Sequence, residues 1–182
     1  MTCLVAYASQ TGFTRAYAEW IADDLECRAV AYGQATDEDV AACDVVVMGG
    51  WFHAASLAGG SWLKRMRKAH PNVRFVVFGV GATPVEWTDQ VEEGLARALP
   101  SPDFDDVPRF YLRGGFDYAK LGLRDKLMMK LFLKAQEKAA QSDERAAAML
   151  EGMREGFDGT DRDAIVPVVA CARSLLDEAV RP

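Results

Sequence analysis

Apolar residues in this chain come in short unbroken runs that alternate with longer stretches where they return every third or fourth position. The run over residues 3–7, Cys-Leu-Val-Ala-Tyr, stops at the polar Ser9-Gln-Thr-Gly12, which is the pattern of a strand buried on both faces. From Thr14 onward, Ala18, Ile21, Ala22 and Leu25 hold helical spacing, and Thr14 is placed to cap the first turn. The rhythm then repeats, with strands expected over 27–32, 44–49, 74–79 and 109–112 and helices over 61–69, 88–99 and 161–180. Pro100 and Pro102 end the helix at 88–99, because proline lacks the amide hydrogen that a helix interior uses. Strands alternating with helices of this length require right-handed crossovers, hence a parallel sheet covered on both faces. The expectation is one doubly wound α/β domain over residues 1–182 with a five-stranded parallel sheet. Residues 116–160 break the rhythm with no strand pattern and read as an added helical segment.

In open parallel sheets, ligands bind beyond the carboxyl ends of the strands, where the winding reverses. The loops after the first, third and fourth strands are therefore the places to look for chemistry. The first, Ser9-Gln10-Thr11-Gly12-Phe13-Thr14, joins a strand to a helix start, where backbone amides and the helix dipole converge and Ser9, Thr11 and Thr14 add hydroxyl donors. It contains no Lys or Arg, so it suits a phosphate held by neutral donors; a capped helix start without a ligand uses the same residue types. A nucleotide-hydrolysing loop would need GxxxxGK[ST], which does not occur here. Gly79-Val-Gly81-Ala-Thr-Pro84 only approaches GxGxxG, since proline stands in the place of the third glycine and the segment follows a late strand.

Half of the 182 residues are apolar and 26% are charged, a balance that folds and excludes low-complexity or disordered classes. The net charge of −6 repels polyanions, so no nucleic-acid partner is expected. Cys3, Cys27, Cys43 and Cys171 lie far apart, without the CxxC spacing of a zinc site or the density of a disulfide-stapled domain, and read as reduced, mostly buried thiols. With no apolar run of about 18 residues and no basic stretch before the first one, a cytoplasmic location is expected.

The stretch from Val5 through Tyr7, Ser9, Thr11, Gly12 and Thr14 to Ala18 resembles the flavodoxin signature: an apolar strand, a Ser/Thr-x-Thr-Gly-x-Thr phosphate loop, then a helix with alanine four residues on. Met48-Gly-Gly50-Trp51-Phe52-His53 resembles the second loop of that family, where an aromatic residue covers one flavin face. Phe78-Gly-Val80-Gly81-Ala82 resembles the third, which meets the pyrimidine end of the ring. The resemblance implies a flavodoxin-like sheet of order 2-1-3-4-5, FMN as cofactor, and Ser9, Gln10, Thr11, Gly12, Phe13, Thr14, Gly50, Trp51, Phe52, His53, Val80, Gly81 and Ala82 as its binding residues. No catalytic side chain is implied, because the flavin carries the redox chemistry while the protein tunes it. The acid that electron-transfer flavodoxins carry after the third loop's glycine is replaced here by Ala82, and Trp87 arrives one residue late for their stacking tyrosine. Uncharged loops around the ring predict a smaller penalty on the reduced, anionic flavin.

Residues 120–140 hold six basic side chains against two acids, a local +4 that leaves −10 for the rest of the chain. Leu123, Leu127, Met128, Leu131, Phe132 and Ala135 form a helical apolar stripe, widened by Met129 and Leu133. Such a basic amphipathic helix lies on anionic membrane surfaces or docks on a partner; alternatively, the stripe packs on its own domain and the lysines are a solvated face. The segment from Arg124 to Lys134 is similar to one in the flavodoxin-domain group that includes menaquinone-dependent protoporphyrinogen dehydrogenase. That likeness implies electron transfer to a quinone-like or protein acceptor, protoporphyrinogen oxidation among the activities, and peripheral contact with the inner face of the membrane through 120–138. The competing reading is a flavin-free anion-binding regulatory module on the same fold. His53 reads as a hydrogen-bond or proton donor near the flavin, and His70 as a helix C-terminal cap.

Overall fold

The computed structural model describes residues 2–53 and 56–180. Its strands are β1 (Cys3–Tyr7), β2 (Arg28–Ala31), β3 (Val45–His53), β4 (Ser56–Leu57), β5 (Arg74–Gly81) and β6 (Arg109–Arg113). The five long ones are parallel in the order β2-β1-β3-β5-β6, while β4 folds back antiparallel on the end of β3. Counting the long strands alone, this is the expected 2-1-3-4-5. The helices are α1 (Phe13–Asp24), α2 (Asp37–Ala41), α3 (Gly60–Ala69), α4 (Thr88–Ala98), α5 (Leu123–Ala139), α6 (Glu144–Glu155) and α7 (Val166–Val180).

Each face of the sheet has its own core. Val5, Val47, Val76 and Phe78 pack against Ile21 of α1 and Val168 and Ala172 of α7. Leu4, Val46, Met48 and Val77 pack against Leu63 and Met66 of α3 on the other side. Successive strand residues point to opposite faces, so a strand covered on both sides needs apolar residues at every position, which is why β1, β3 and β5 read as unbroken runs.

Several boundaries move from their expected places. Helix α1 begins one residue before Thr14, and its N-cap is Gly12 in a left-handed conformation (φ 101°) with no side-chain cap bond; Thr14 lies buried in the first turn. Strands β3 and β5 run on through Trp51-Phe52-His53 and Val80-Gly81, segments expected to be loops. Glycines hide this continuation. A Cβ on Gly49 would overlap the Phe78 ring, and one on Gly79 the Phe52 ring, so the strand interior is kept open for aromatic side chains. The short α2, which the pattern does not predict, opens on a reciprocal capping box of Thr36 and Asp39, Asp39 N to Thr36 Oγ1 at 3.1 Å and Thr36 N to Asp39 Oδ2 at 2.9 Å.

The added segment is not purely helical. Two-residue strands β7 (Gly115–Phe116) and β8 (Phe157–Asp158) pair antiparallel and clamp the base of the α5–α6 pair. Helix α5 packs on α6, with an ion pair between Glu137 and Arg154 and with Met129 and Leu133 half-buried. Its apolar stripe faces solvent: Leu123 is 89% exposed, and Leu127, Met128 and Leu131 are 62%, 61% and 60% exposed. That overturns packing of the stripe on its own domain. The side chains of Lys120, Arg124 and Ala135 lie outside the described residues. The four cysteines are also not buried; each is partly exposed. Asp161 caps a 3-10 turn, Arg162–Ile165, before α7 begins, so the last helix starts later than 161.

Candidate functional site

The carboxyl ends of β1, β3 and β5 stand side by side, since Tyr7 pairs with Gly49 and Trp51 with Val80. The chain leaves β1 through Ala8, whose amide still bonds to the Gly49 carbonyl at 2.8 Å, and turns at Ser9–Gly12 into α1. Three observations mark this turn as an anion cradle. The Ser9 hydroxyl oxygen is buried with no hydrogen-bond partner. The N-cap, Gly12, offers the first-turn amides no side-chain acceptor, and the first turn contains no acid. A helix start with neither a side-chain cap nor an acid in its first turn keeps its partial positive charge. The left-handed Gly12 turns the chain there at little steric cost, which a residue with a Cβ would not do.

Phe13 turns away from the cradle toward the added segment: a Cβ on Gly115 would meet its ring. Phe13, Phe116, Tyr118, Met153 and Phe157 line a cavity of about 480 Å³. Gln10 is exposed and Thr11 half-buried.

After β3 the hairpin with β4 presses on Gly50, where a Cβ would collide with the Ala58 carbonyl and the Leu57 side chain. Trp51 is half-buried, on the same sheet face as Val45 and Val47 and therefore on the side of α1. Phe52 points to the other face. Its ring lies across Gly79 and Gly81 and stacks on Tyr111, with centroids 5.8 Å apart and planes at 25°. Gly79 and Gly81 thus make a flat bed for an aromatic ring and are no part of a dinucleotide fingerprint. His53 closes β3 in register with Ser56, and its side chain lies outside the described residues.

Val80 is buried beneath the sheet end and Ala82 begins the loop after β5. Ala82, Pro84, Trp87, Arg113, Met149 and Phe157 are among the residues around a second cavity of about 310 Å³. Sequence reasoning did not single out Arg113 or Arg145. The Arg113 guanidinium stands over the Phe157 ring at 5.3 Å, and its buried Nε has no partner. Arg145 of α6 lies over Trp87 at 5.4 Å and pairs with Asp89 at 3.0 Å, which draws the Asp89 carboxyl below its ordinary range. Trp87 therefore latches the added segment to the third loop. Behind the cradle, the buried Tyr17 hydroxyl donates to the Arg113 carbonyl at 2.7 Å and accepts from the Asp161 amide at 3.0 Å, joining α1, β6 and the start of the last helical segment. Tyr111 donates to the Thr83 carbonyl at 2.8 Å, and burial pushes its pKa up to about 12.

A family model described as a flavodoxin domain matches residues 4–143. This chain belongs to the flavodoxin-domain family. The match begins in β1 and runs past the third loop into the added segment, so all three loops fall within the family's own domain. Among solved structures, a flavodoxin from the domain Archaea is similar at 12% identity over 85% of this chain and 95% of that one, with a TM-score of 0.44. The two-electron reduced flavodoxin of Megasphaera elsdenii is similar at 18% identity over 62% of this chain and 85% of that one, TM-score 0.40. A flavoprotein of Lactobacillus acidophilus in complex with FMN is similar at 15% identity over 62% and 92%, TM-score 0.41. No curated protein sequence matches. Among the described residues, no helix is long and apolar enough to cross a membrane.

Proposed function

We propose that this flavodoxin-domain protein binds FMN at the β1–α1 turn and passes electrons to a quinone-like or protein acceptor. The observation that carries the reading is the buried, unpartnered Ser9 hydroxyl beside an uncapped helix N-terminus without acids. A buried hydroxyl left without a partner is costly, and a phosphate oxygen satisfies it together with the first-turn amides. Ser9, Thr11 and the amides from Gly12 onward would hold the phosphate. Gly50, Trp51, Val80, Gly81 and Ala82, at the ends of β3 and β5, form an uncharged flank. FMN, when bound, supplies the redox chemistry; the chain positions it and sets its electrostatics.

The acceptor is read from α5. Its exposed leucines are interleaved with the exposed Lys130, Lys134 and Lys138, and Lys134 and Lys138 follow Leu127 and Leu131 at helical spacing. The basic, apolar face complements an anionic lipid surface, from which a membrane quinone is reachable. Protoporphyrinogen is the proposed reductant on the likeness of the Arg124 to Lys134 segment to the menaquinone-dependent group.

Protein as isolated is expected to be yellow and to release FMN on denaturation; colourless protein that refuses added FMN favours the flavin-free anion-binding module. Menaquinone reduction by protoporphyrinogen in its presence supports the enzyme, whereas exchange with redox proteins alone supports a carrier. Flotation with phosphatidylglycerol vesicles, lost when Lys130, Lys134 and Lys138 become Glu, supports membrane contact; equal flotation of the variant contradicts it.

A further inference from the structure

Cys3 opens β1, and Cys27 stands one residue before β2. Leu4 pairs with Arg28 in the register of these strands, so the two cysteines occupy adjoining places beside each other in the sheet. Both pack on the apolar cluster of the α1 and α7 face, so their side chains lie on the same side of the sheet. Neighbouring strands run about 4.7–4.9 Å apart, inside the roughly 4.4–6.8 Å separation of Cα atoms that a disulfide spans. The turn that delivers Cys27 is specific. Glu26 has φ 53°, the only positive value outside glycine among the described residues, and the Cys27 amide bonds back to the Ala22 carbonyl at 2.9 Å. The two thiols are partly exposed and line a surface cavity of about 490 Å³ with Glu26, Arg173 and Asp177.

We propose that Cys3 and Cys27 form a peroxide-reactive dithiol that closes reversibly to a disulfide, pinning the edge strand β2 to β1. Cys27, on the turn ahead of β2 and outside the strand, is the attacking sulfur, and Cys3, held within β1, the resolving one; the Cys3 thiol beside it favours the Cys27 thiolate, while the Cys27 thiol and burial push Cys3 up. The Cys27 thiolate attacks one oxygen of hydrogen peroxide. An S–O bond forms, the O–O bond breaks, and the departing hydroxide takes a proton to become water. Cys3 then attacks the sulfenic sulfur; the S–S bond forms, the S–O bond breaks, and a second water leaves with the Cys3 proton. The thiols lose two electrons together, the peroxide gains them, and a small dithiol reverses the closure by exchange. Four and more residues of strand separate this pair from Ser9, at the other end of the sheet, so the site is independent of FMN binding.

The test is oxidation of the full-length protein with hydrogen peroxide, alkylation, and peptide mapping without reduction. The expected result is a cross-linked peptide joining Cys3 to Cys27, lighter by two hydrogens and split by dithiothreitol, with Cys43 and Cys171 recovered alkylated. In Cys3→Ser, dimedone is expected to trap a sulfenic acid at Cys27. Oxidation of Cys43 or Cys171 at the same rate, or oxidation with no Cys3–Cys27 link in the wild-type map, overturns the proposal. The flavin spectrum, followed in parallel, is expected to stay unchanged, so loss of the thiol chemistry and loss of FMN binding register separately.

Discussion

The rings of Phe52 and Tyr111, contributed by strands that flank β5 on either side, stack over the glycines of β5 at 5.8 Å between centroids. This contact bridges three strands just below the third loop and explains why β5 ends in Gly79-Val80-Gly81. Gly79→Ala forces the Phe52 ring off its bed and is expected to cost about 1–3 kcal/mol of stability. Phe52→Ala removes a partly buried ring and is expected to cost about 3 kcal/mol. In the Phe52→Ala background, Gly79→Ala should cost almost nothing; urea denaturation of the four proteins in the cycle measures this.

Tyr111 makes the same region sensitive to alkali. Its pKa is pushed up to about 12 by burial, while tyrosine in the unfolded chain ionises near 10. Below about pH 10 both states keep the proton and the buried neutral phenol contributes in full. Between about 10 and 12 the unfolded chain loses its proton first, so stability falls as pH rises, by about 3 kcal/mol for this group. Chemical denaturation of Tyr111→Phe across that window should show a shallower decline, and a decline as steep as wild type contradicts the assignment. Tyr17, also raised by burial, accounts for part of what remains.

The latch between Arg145, Trp87 and Asp89 is exposed, so its loss leaves global stability nearly unchanged. It nevertheless holds α6 against the third loop. Arg145→Ala is expected to raise amide exchange in α6 and around Trp87 while the melting temperature stays near wild type; unchanged exchange would mean that the β7–β8 clamp alone seats the added segment.

Ala82→Asp, in the family's usual acidic position, is expected to lower the reduction potential of bound FMN, by roughly 30 mV for a 1.4 kcal/mol interaction. A redox titration of wild type and variant measures the difference, and a potential unmoved by the new carboxylate places Ala82 away from the ring.

The parallel sheet was legible because burial on both faces writes unbroken apolar runs, and the place of the first loop because a polar turn with one glycine interrupts them between β1 and α1. What the pattern concealed was decided by contacts between distant segments. Gly49, Gly79 and Gly81 weaken the hydrophobic signal of β3 and β5, yet they admit Phe78 and Phe52. Thr14 looked like a cap, but the left-handed Gly12 takes that place. The clamp of Gly115–Phe116 on Phe157–Asp158 is too short to have a period, and its one signal was the Gly114-Gly115 pair. The thiols of Cys3 and Cys27 meet only because parallel pairing brings them abreast. Arg113 and Arg145 carried no motif at all; only the fold sets them over Phe157 and Trp87.

FMN binding at the cradle of Ser9 and Gly12 is tested most directly by fluorescence titration of FMN into flavin-stripped protein. Wild type is expected to quench the flavin at one site per chain. Ser9→Ala, which removes only an unpartnered hydroxyl, should fold with undiminished stability and bind about tenfold more weakly, the loss of one hydrogen bond to a charged group. Binding by Ser9→Ala as tight as wild type, or no quenching by either protein, would contradict a phosphate site at this turn.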